Sequence, residues 1–506
     1  MLNNLPLKRA TPENAGISSR ELLKLIRELD SLGNEVHGWM VARNDLVCAE
    51  GWMAPYRAEL PHSCHSLGKS YTCTAAGIAC TEGLLHPDDR LTDLFSEEIQ
   101  RMRLHIHPGM EKVTVRHLMT MSSGTKGMPR FDDQWLVNFL ESEMADEPGS
   151  RFYYNTTGSC VLGAAVEKAT GRDLLSYMRE KLFRHIGIGE QDLVWQRFRN
   201  GLYAEPGICA TTEANLRLGL LYLHEGMADD QQLISREWIR EAVSKQIETG
   251  KNPASEEGSH GYGWQLWMGT VPGLYRFDGG QGQLCFVYPP KKCVIAMHQA
   301  GRDPYGVENS IRIVSAFMRE LPDEPLAADP EGCDELENYL RKRSIPAGSV
   351  CCLTAKDREL EGVYFVQEGK LNPWIEVVPV EEDFWHYFYD PAVNDQVRML
   401  EVRMNEEEVR LIFDRRTVIR ARLDGRWHMH RTENVLPGLD AYSAVAGRDA
   451  EGRLQVDLRW LNGWFRTVFT LWEDEPGSIM VTTEKDMLHD RSEPVRGSAK
   501  AQKSLL

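Results

Sequence analysis

From about residue 350 the chain settles into strict alternation, and that pattern constrains its fold more than any other feature. In "LQVDLRW", Leu454, Val456, Leu458 and Trp460 fall on one side and Gln455, Asp457 and Arg459 on the other. This is the period of a half-buried antiparallel strand. "LEGVYFVQEG", "WIEVVPVEEDFWHYFYD", "RMLEVRMNEEEVRLIFDRRTVIRARLDGRWHMHRTE" and "SIMVTTE" read the same way, and "LDGRW" and "LNGWF" carry hairpin dipeptides. About eight strands in this stretch predict a small antiparallel barrel or sandwich.

The chain before it is of another kind. "SRELLKLIRELDSLG" carries a helical stripe at Leu22, Leu23, Leu25, Ile26 and Leu29, closed by Gly33. "GWMVARNDLVCAEGWMAPY" reads as two strands around a turn at Asn44-Asp45. A helix is expected from near Ser66 to "HPDD", with further helices in "LLSYMREKLF", "ANLRLGLLYLHEG" and "REWIREAVSKQI". "GQLCFVYP" and "KCVIAMHQA" close this half as strands around Pro289-Pro290. "PDEPLAADPEG" reads as a linker before a short helix in "DELENYLRKR". We therefore expect a first domain over 1–321, a linker and helix over 322–348, and a β-domain over 349–506.

With 506 residues, a large core needs neither disulfides nor a structural metal. Net charge is −17, which argues against nucleic acid and against an anionic membrane surface. The first residues show no apolar secretory segment, and no window approaches the roughly 18 apolar residues of a spanning helix. The eleven cysteines are odd in number and unpaired in spacing. The expectation is a cytoplasmic protein with reduced thiols.

Within "HSCHSLGKSYTC", Ser66 and Lys69 stand three apart at a helix start, on one face. A serine hydroxyl becomes a nucleophile when a neighbouring base takes its proton, and a lysine serves when its surroundings lower its pKa. Taken alone the pair also reads as an N-capping serine and a surface lysine. His62, Cys64 and His65 match no common zinc spacing and read as packing ahead of the helix, with one histidine at most lining a pocket. His105 and His107 alternate like strand residues and read as structural, and Cys73 and Cys80 share a helix face and read as core.

The surrounding window, "PHSCHSLGKSYTCTAAGIACTEGLLHPDDRLTDLF", resembles the nucleophile helix of the class C β-lactamase-like serine hydrolases, which include esterases, D-aminopeptidases and penicillin-binding proteins. "TVRHLMTMSSGTKG" and "HGYGWQLW" resemble further segments of that family, over about residues 10 to 320. The resemblance implies an α/β (α+β) β-lactamase/transpeptidase-like domain, an antiparallel sheet with flanking helices, followed by a C-terminal lipocalin-like antiparallel β-barrel.

The family's second motif is Tyr-x-Asn, and two registers compete. "YYN" makes Tyr153 the tyrosine and Asn155 its partner. The flanks of "PGSRFYYNTTGSCVLG" instead select Tyr154, with Thr156 in the asparagine's place and Gly163 seven residues beyond. We favour Tyr154, whose phenol would relay protons beside Ser66 and Lys69. The other tyrosine then packs beside Phe152.

At the third motif, usually Lys-Thr-Gly or His-x-Gly, the chain has "YRFDGGQGQLCFVYP". Gly279, Gly280 and Gly282 would let a substrate approach the backbone, and the N–H near Gln281 would join that of Ser66 in an oxyanion hole. Asp278 replaces a cation, which disfavours a substrate carboxylate and favours neutral or cationic ligands. The same run also reads as a plain hairpin turn.

The reading is a serine hydrolase of esters or amides through an acyl-enzyme on Ser66. Lys69 and Tyr154 act as acid and base, and Asn155, Thr156, Asp278, Gly280 and Gln281 hold the substrate. It calls for no cofactor or metal and for a small ester, amide or peptide substrate, with no nucleic acid and no membrane. A catalytically impaired binding protein is the alternative, with a true β-lactamase or D-amino-acid peptidase behind it. The barrel aromatics read as its core, and an appended barrel in related hydrolases can overhang the site and restrict substrates.

Overall fold

A computed structural model describes residues 2–198, 200–251, 255–301, 306–369, 371, 397–432, 438–485 and 495–504. The expected strand in "WIEVVPVEEDFWHYFYD" lies outside them.

The first half is built on a sheet of seven strands. Its centre is formed by β1 (Glu35–Arg43), β2 (Leu46–Trp52), β7 (Tyr275–Gly279), β8 (Gln283–Tyr288) and β9 (Cys293–Ala300), with β6 (Trp267–Met268) at one edge and Lys8–Arg9 at the other. The order across the sheet is Lys8–Arg9, β2, β1, β9, β8, β7, β6. Only the Lys8–Arg9 pairing is parallel. The turn joining β1 to β2 is Asn44-Asp45, both at positive φ, as its hairpin-forming residue types predict. Asn tolerates that region because its short side chain bonds locally.

Both sheet faces are covered. Val36, Trp39 and Val41 of β1 meet α1 (Ser19–Ser31), α5 (Gly306–Arg319) and α6 (Pro330–Lys342), while Met40 and Ala42 face the other core. Ser18 caps α1 by accepting from the Glu21 N–H. Helix α6 begins at Pro330, directly after the proline-rich stretch, and buries Leu336 and Leu340 in the first domain's core. The helix after the linker is thus anchored on the first domain.

The second face carries α2 (Gly68–Thr81), α3 (Thr156–Thr170) and α4 (Thr212–Leu223). Every residue of α2 from Gly68 to Ala79 is buried. Small residues make that possible, because a helix buried on all sides needs close neighbours. Gly163 of α3 lies against Thr72 of α2, where a Cβ would stand 3.5 Å from the threonine methyl. A separate small sheet places β3 (His62–Ser63) beside β5 (Tyr203–Ala210), which also pairs with β4 (Leu193–Arg197).

The described residues from Gly362 onward form a barrel. Its described strands are β10 (Gly362–Gly369), β11 (Met399–Met404), β12 (Glu408–Phe413), β13 (Thr417–Arg422), β14 (Met429–Arg431), β15 (Ala441–Arg448), β16 (Leu454–Trp460), β17 (Arg466–Glu475), β18 (Ser478–Lys485) and β19 (Val495–Lys503). A bridge between β13 and β15 closes the ring, leaving β14 outside it. Leu454, Val456, Leu458 and Trp460 are all buried inside, as their alternation requires. "LNGWF" does join two paired strands, β16 and β17. "LDGRW" does not, because β13 and β14 are not neighbours in the sheet. His105 and His107, which alternate like strand residues, lie in an irregular exposed segment instead. None of the eleven cysteines forms a disulfide.

Candidate active site

Ser66 lies in a short 3₁₀ turn, His65–Leu67, that runs directly into α2. One turn later, Lys69 is 2% exposed and its Nζ donates to Ser66 Oγ at 2.9 Å. The i, i+3 spacing therefore delivers a contact and not merely a shared face. Burial pushes the neighbouring Cys64 thiol up to about 12, so it is no rival nucleophile at neutral pH.

Of the two tyrosines, the structure brings Tyr154 to this pair. The Lys69 ammonium lies 4.9 Å from the Tyr154 ring centre, over its face. On its other side Tyr154 stacks on Trp267, with centroids 6.0 Å apart and planes at 22°. Phe152 and Tyr262 complete an aromatic box around Trp267. Tyr153 is 43% exposed.

Asn155 is buried and engaged at both ends of its amide. Its Oδ1 caps α3 by accepting from the Gly158 N–H at 3.0 Å, and its Nδ2 donates to Thr125 Oγ1 at 3.2 Å. Thr156 is the first residue of α3 and is 8% exposed.

The third motif forms the end of β7 and the turn that follows it. Gly279 pairs with Gln283, and Gly280, Gln281 and Gly282 make the turn, closed by the Gly282 N–H donating to the Gly279 carbonyl. Gln281 and Gly282 both have positive φ. The reading as a hairpin turn and the reading as a site strand therefore describe one feature. A Cβ on Gly279 would stand 2.2 Å from the Cys64 carbonyl oxygen and 3.0 Å from the Leu67 nitrogen, so the strand end abuts the turn that carries Ser66. Asp278 projects to the opposite face of β7 from Gly279. It accepts from Arg276 Nε at 2.8 Å, and Arg276, itself 2% exposed, also lies over Trp267 at 6.0 Å. The carboxylate that replaces the usual cation is thus paired with a buried guanidinium, which also lies 3.8 Å from the buried carboxylate of Glu257.

Two contributors were not singled out from sequence. Trp267 braces Tyr154, and Gln265 ties three helical segments together. The Gln265 carbonyl accepts from Ser70 Oγ, its Oε1 accepts from Ser159 Oγ, and its Nε2 donates to the Leu118 carbonyl. Both lie in "HGYGWQLW", whose aromatic and glycine content is the one signal that could have marked them.

His62 belongs to a buried polar chain. His37 Nδ1 and His62 Nε2 are 3.0 Å apart, His62 stacks on His298 at 4.5 Å, and His298 bonds Gln283 and Asn215. Among the described residues no three His, Cys, Asp or Glu side chains are grouped to hold a metal ion. Likewise no helix there is long and apolar enough to cross a membrane.

A helix-flanked antiparallel sheet, with a serine one turn before a buried lysine at the head of its central helix, defines a β-lactamase/transpeptidase-like hydrolase fold. The family model for beta-lactamase matches residues 37–316, more than half of the sequence, and the chain belongs to that family. The 6-aminohexanoate-dimer hydrolase of Paenarthrobacter ureafaciens is 22% identical over 58% of this chain and 81% of its own length. A probable fimbrial assembly protein FimD of Dichelobacter nodosus is 26% identical over 31% of this chain, which spans only 42% of that relative. A putative beta-lactamase from Bacteroides dorei shares the fold, with a TM-score of 0.50 at 17% identity over 60% of this chain and 100% of its own.

Proposed function

We propose that the chain hydrolyses a small ester, amide or peptide through an acyl-enzyme on Ser66. The 2.9 Å contact from Lys69 Nζ to Ser66 Oγ, with the Tyr154 ring beside the same nitrogen, carries this reading. Lys69 in its neutral form takes the hydroxyl proton as Ser66 Oγ bonds to the substrate carbonyl carbon. The N–H groups of Ser66 and Gln281 receive the charge that develops on the carbonyl oxygen. Collapse breaks the bond to the leaving alcohol or amine, which takes a proton through Tyr154. Water then attacks the acyl carbon and gives a proton to the Lys69–Tyr154 pair, which passes it to Ser66 Oγ as the acyl bond breaks and the acid product leaves.

Thr156, Gly280 and Gln281 line the substrate side. Asn155 contributes through the α3 cap, and Asp278 through its pairing with Arg276. The hydrolase named for an aminohexanoate dimer supports an amide substrate over a strained lactam. Asp278 and Glu257 sharing the one guanidinium of Arg276 support a neutral or cationic group at that end.

Intact-protein mass after incubation with p-nitrophenyl acetate and, separately, with a β-lactam tests the proposal. The expected result is an acetyl adduct with nitrophenol turnover in wild type and neither in Ser66→Ala. No adduct and no turnover would favour a binding protein on a hydrolase fold.

A further inference from the structure

The turn that carries Ser66 is held from the barrel. The loop between β16 and β17, residues 461–465, reaches back across the molecule to β3, the strand that leads into the turn. There the Ser63 N–H donates to the Asn462 carbonyl at 2.6 Å. The Asn462 side chain donates from Nδ2 to the Pro61 carbonyl at 2.8 Å and accepts at Oδ1 from the Ala441 N–H at 2.8 Å. Asn462 is 2% exposed, so these bonds are made away from competing water. Two residues on, Trp464 sets its ring 6.2 Å from that of His65.

His65 immediately precedes Ser66 and has φ of +48°. For a residue with a Cβ this left-handed conformation costs about 1 kcal/mol or more, and it persists where the surroundings over-determine it. The surroundings on one side are the Cys64 N–H bonded to the Ile208 carbonyl and the end of β7 at Gly279. On the other they are Asn462 and Trp464. The strain and its clamp fall at the residue whose backbone aims the nucleophile.

We propose that Asn462 and Trp464 are positioning residues for Ser66, so that the barrel is part of the acylation machinery and not only a cover that selects substrates. The inference rests on Ser66 being the nucleophile. Asn462→Ala keeps the backbone acceptor for Ser63 but loses both side-chain bonds, letting β3 shift. A displacement of about 1 Å at a reacting atom costs on the order of a hundredfold in rate. Trp464→Phe keeps a ring against His65 and is the conservative variant.

The test is the rate at which an alkyl fluorophosphonate labels Ser66, read by intact mass, alongside kcat and KM for p-nitrophenyl acetate and the unfolding midpoint. Val456→Ala, buried in the barrel wall away from the turn, is the control for lost barrel stability. Asn462→Ala is expected to label about tenfold or more slowly, with kcat reduced alike and KM within about twofold. Trp464→Phe is expected to label near the wild-type rate and Trp464→Ala more slowly. Val456→Ala, although less stable, should label at the wild-type rate. If wild type labels but Asn462→Ala keeps pace with it, or slows only as Val456→Ala does, the inference falls alone. If wild type does not label at Ser66, the hydrolase reading falls and takes the inference with it.

Discussion

Arg459 of the barrel and Glu35 of the first strand of the hydrolase sheet form an ion pair across the two domains, with Nη1 to Oε2 at 2.7 Å and Nη2 to Oε1 at 3.2 Å. Arg459 is 4% exposed. Burial opposes its charge, but Glu35, Tyr56 and Asp457 outweigh that and hold its pKa above the ordinary arginine value. Glu35 Oε2 also lies 3.5 Å from His37 Nε2, so the pair is joined to the buried histidine chain.

Removing Glu35 takes the direct partner from a buried guanidinium, but Glu35 is partly exposed and Asp457 remains near, so the cost is at most about 3 kcal/mol. Glu35→Gln should lower the denaturant midpoint accordingly. Combining it with Arg459→Met should restore part of the loss, because no charge is then stranded. Equilibrium denaturation of the three variants reads the coupling.

Tyr154→Phe keeps the ring over Lys69 and removes only the hydroxyl. With p-nitrophenyl acetate, kcat/KM should fall about a hundredfold, the scale of a lost general acid–base group. Tyr153→Phe should stay within about twofold. The reverse ranking would restore the literal Tyr-x-Asn register.

The histidine chain makes the protein acid-labile. Burial, then the charge of His37, lowers His298 to about 3, and burial with His298 and His37 holds His62 well below the usual histidine range. Both groups titrate near 6.5 in the unfolded chain. Between the folded and unfolded values the unfolded state binds more protons, so stability rises with pH and is lost on acidification. The loss should begin below about pH 6.5 and run at roughly 1.4 kcal/mol per pH unit for each histidine. Urea melts at pH 7.5 and 5.5 measure it, and His298→Gln should flatten the dependence.

Gly279→Ala should injure activity more than folding. Its Cβ would fall 2.2 Å from the Cys64 carbonyl oxygen, so the nucleophile turn or the strand must move. We expect kcat/KM to drop about a hundredfold while the thermal midpoint shifts only a few degrees. An unchanged rate would show that β7 and the turn move together.

What was legible in the sequence was what is local. Ser66 and Lys69 fall within one helical turn, so spacing alone places them together. The α1 stripe, the Asn44-Asp45 turn and the β16 alternation are likewise set by a few consecutive residues. Tyr154, whose ring lies beside Lys69, needed its flanks, since "YYN" offers Tyr153 the better local match. Trp267, Gln265 and Asn462 were invisible for another reason. Each acts through neighbours made by tertiary packing, and Asn462 reaches a strand 400 residues earlier, which no periodicity encodes. Asp278 was read as an open charge because its partner, Arg276, is a neighbour only in the geometry of a strand, where i and i+2 share a face.

The pairing of β1 with β9 sets residues 35–43 against residues 293–300 in the middle of the sheet. During synthesis, the ribosome completes the nucleophile helix by residue 81 and must add over 200 more residues before the strand that seats β1 exists. Contacts this distant along the chain are slow to close, since loop entropy must be overcome before they form. Until then β1 lacks its central sheet neighbour and its apolar faces are only partly covered, so a nascent chain halted short of residue 300 should expose surface that chaperones and proteases recognise.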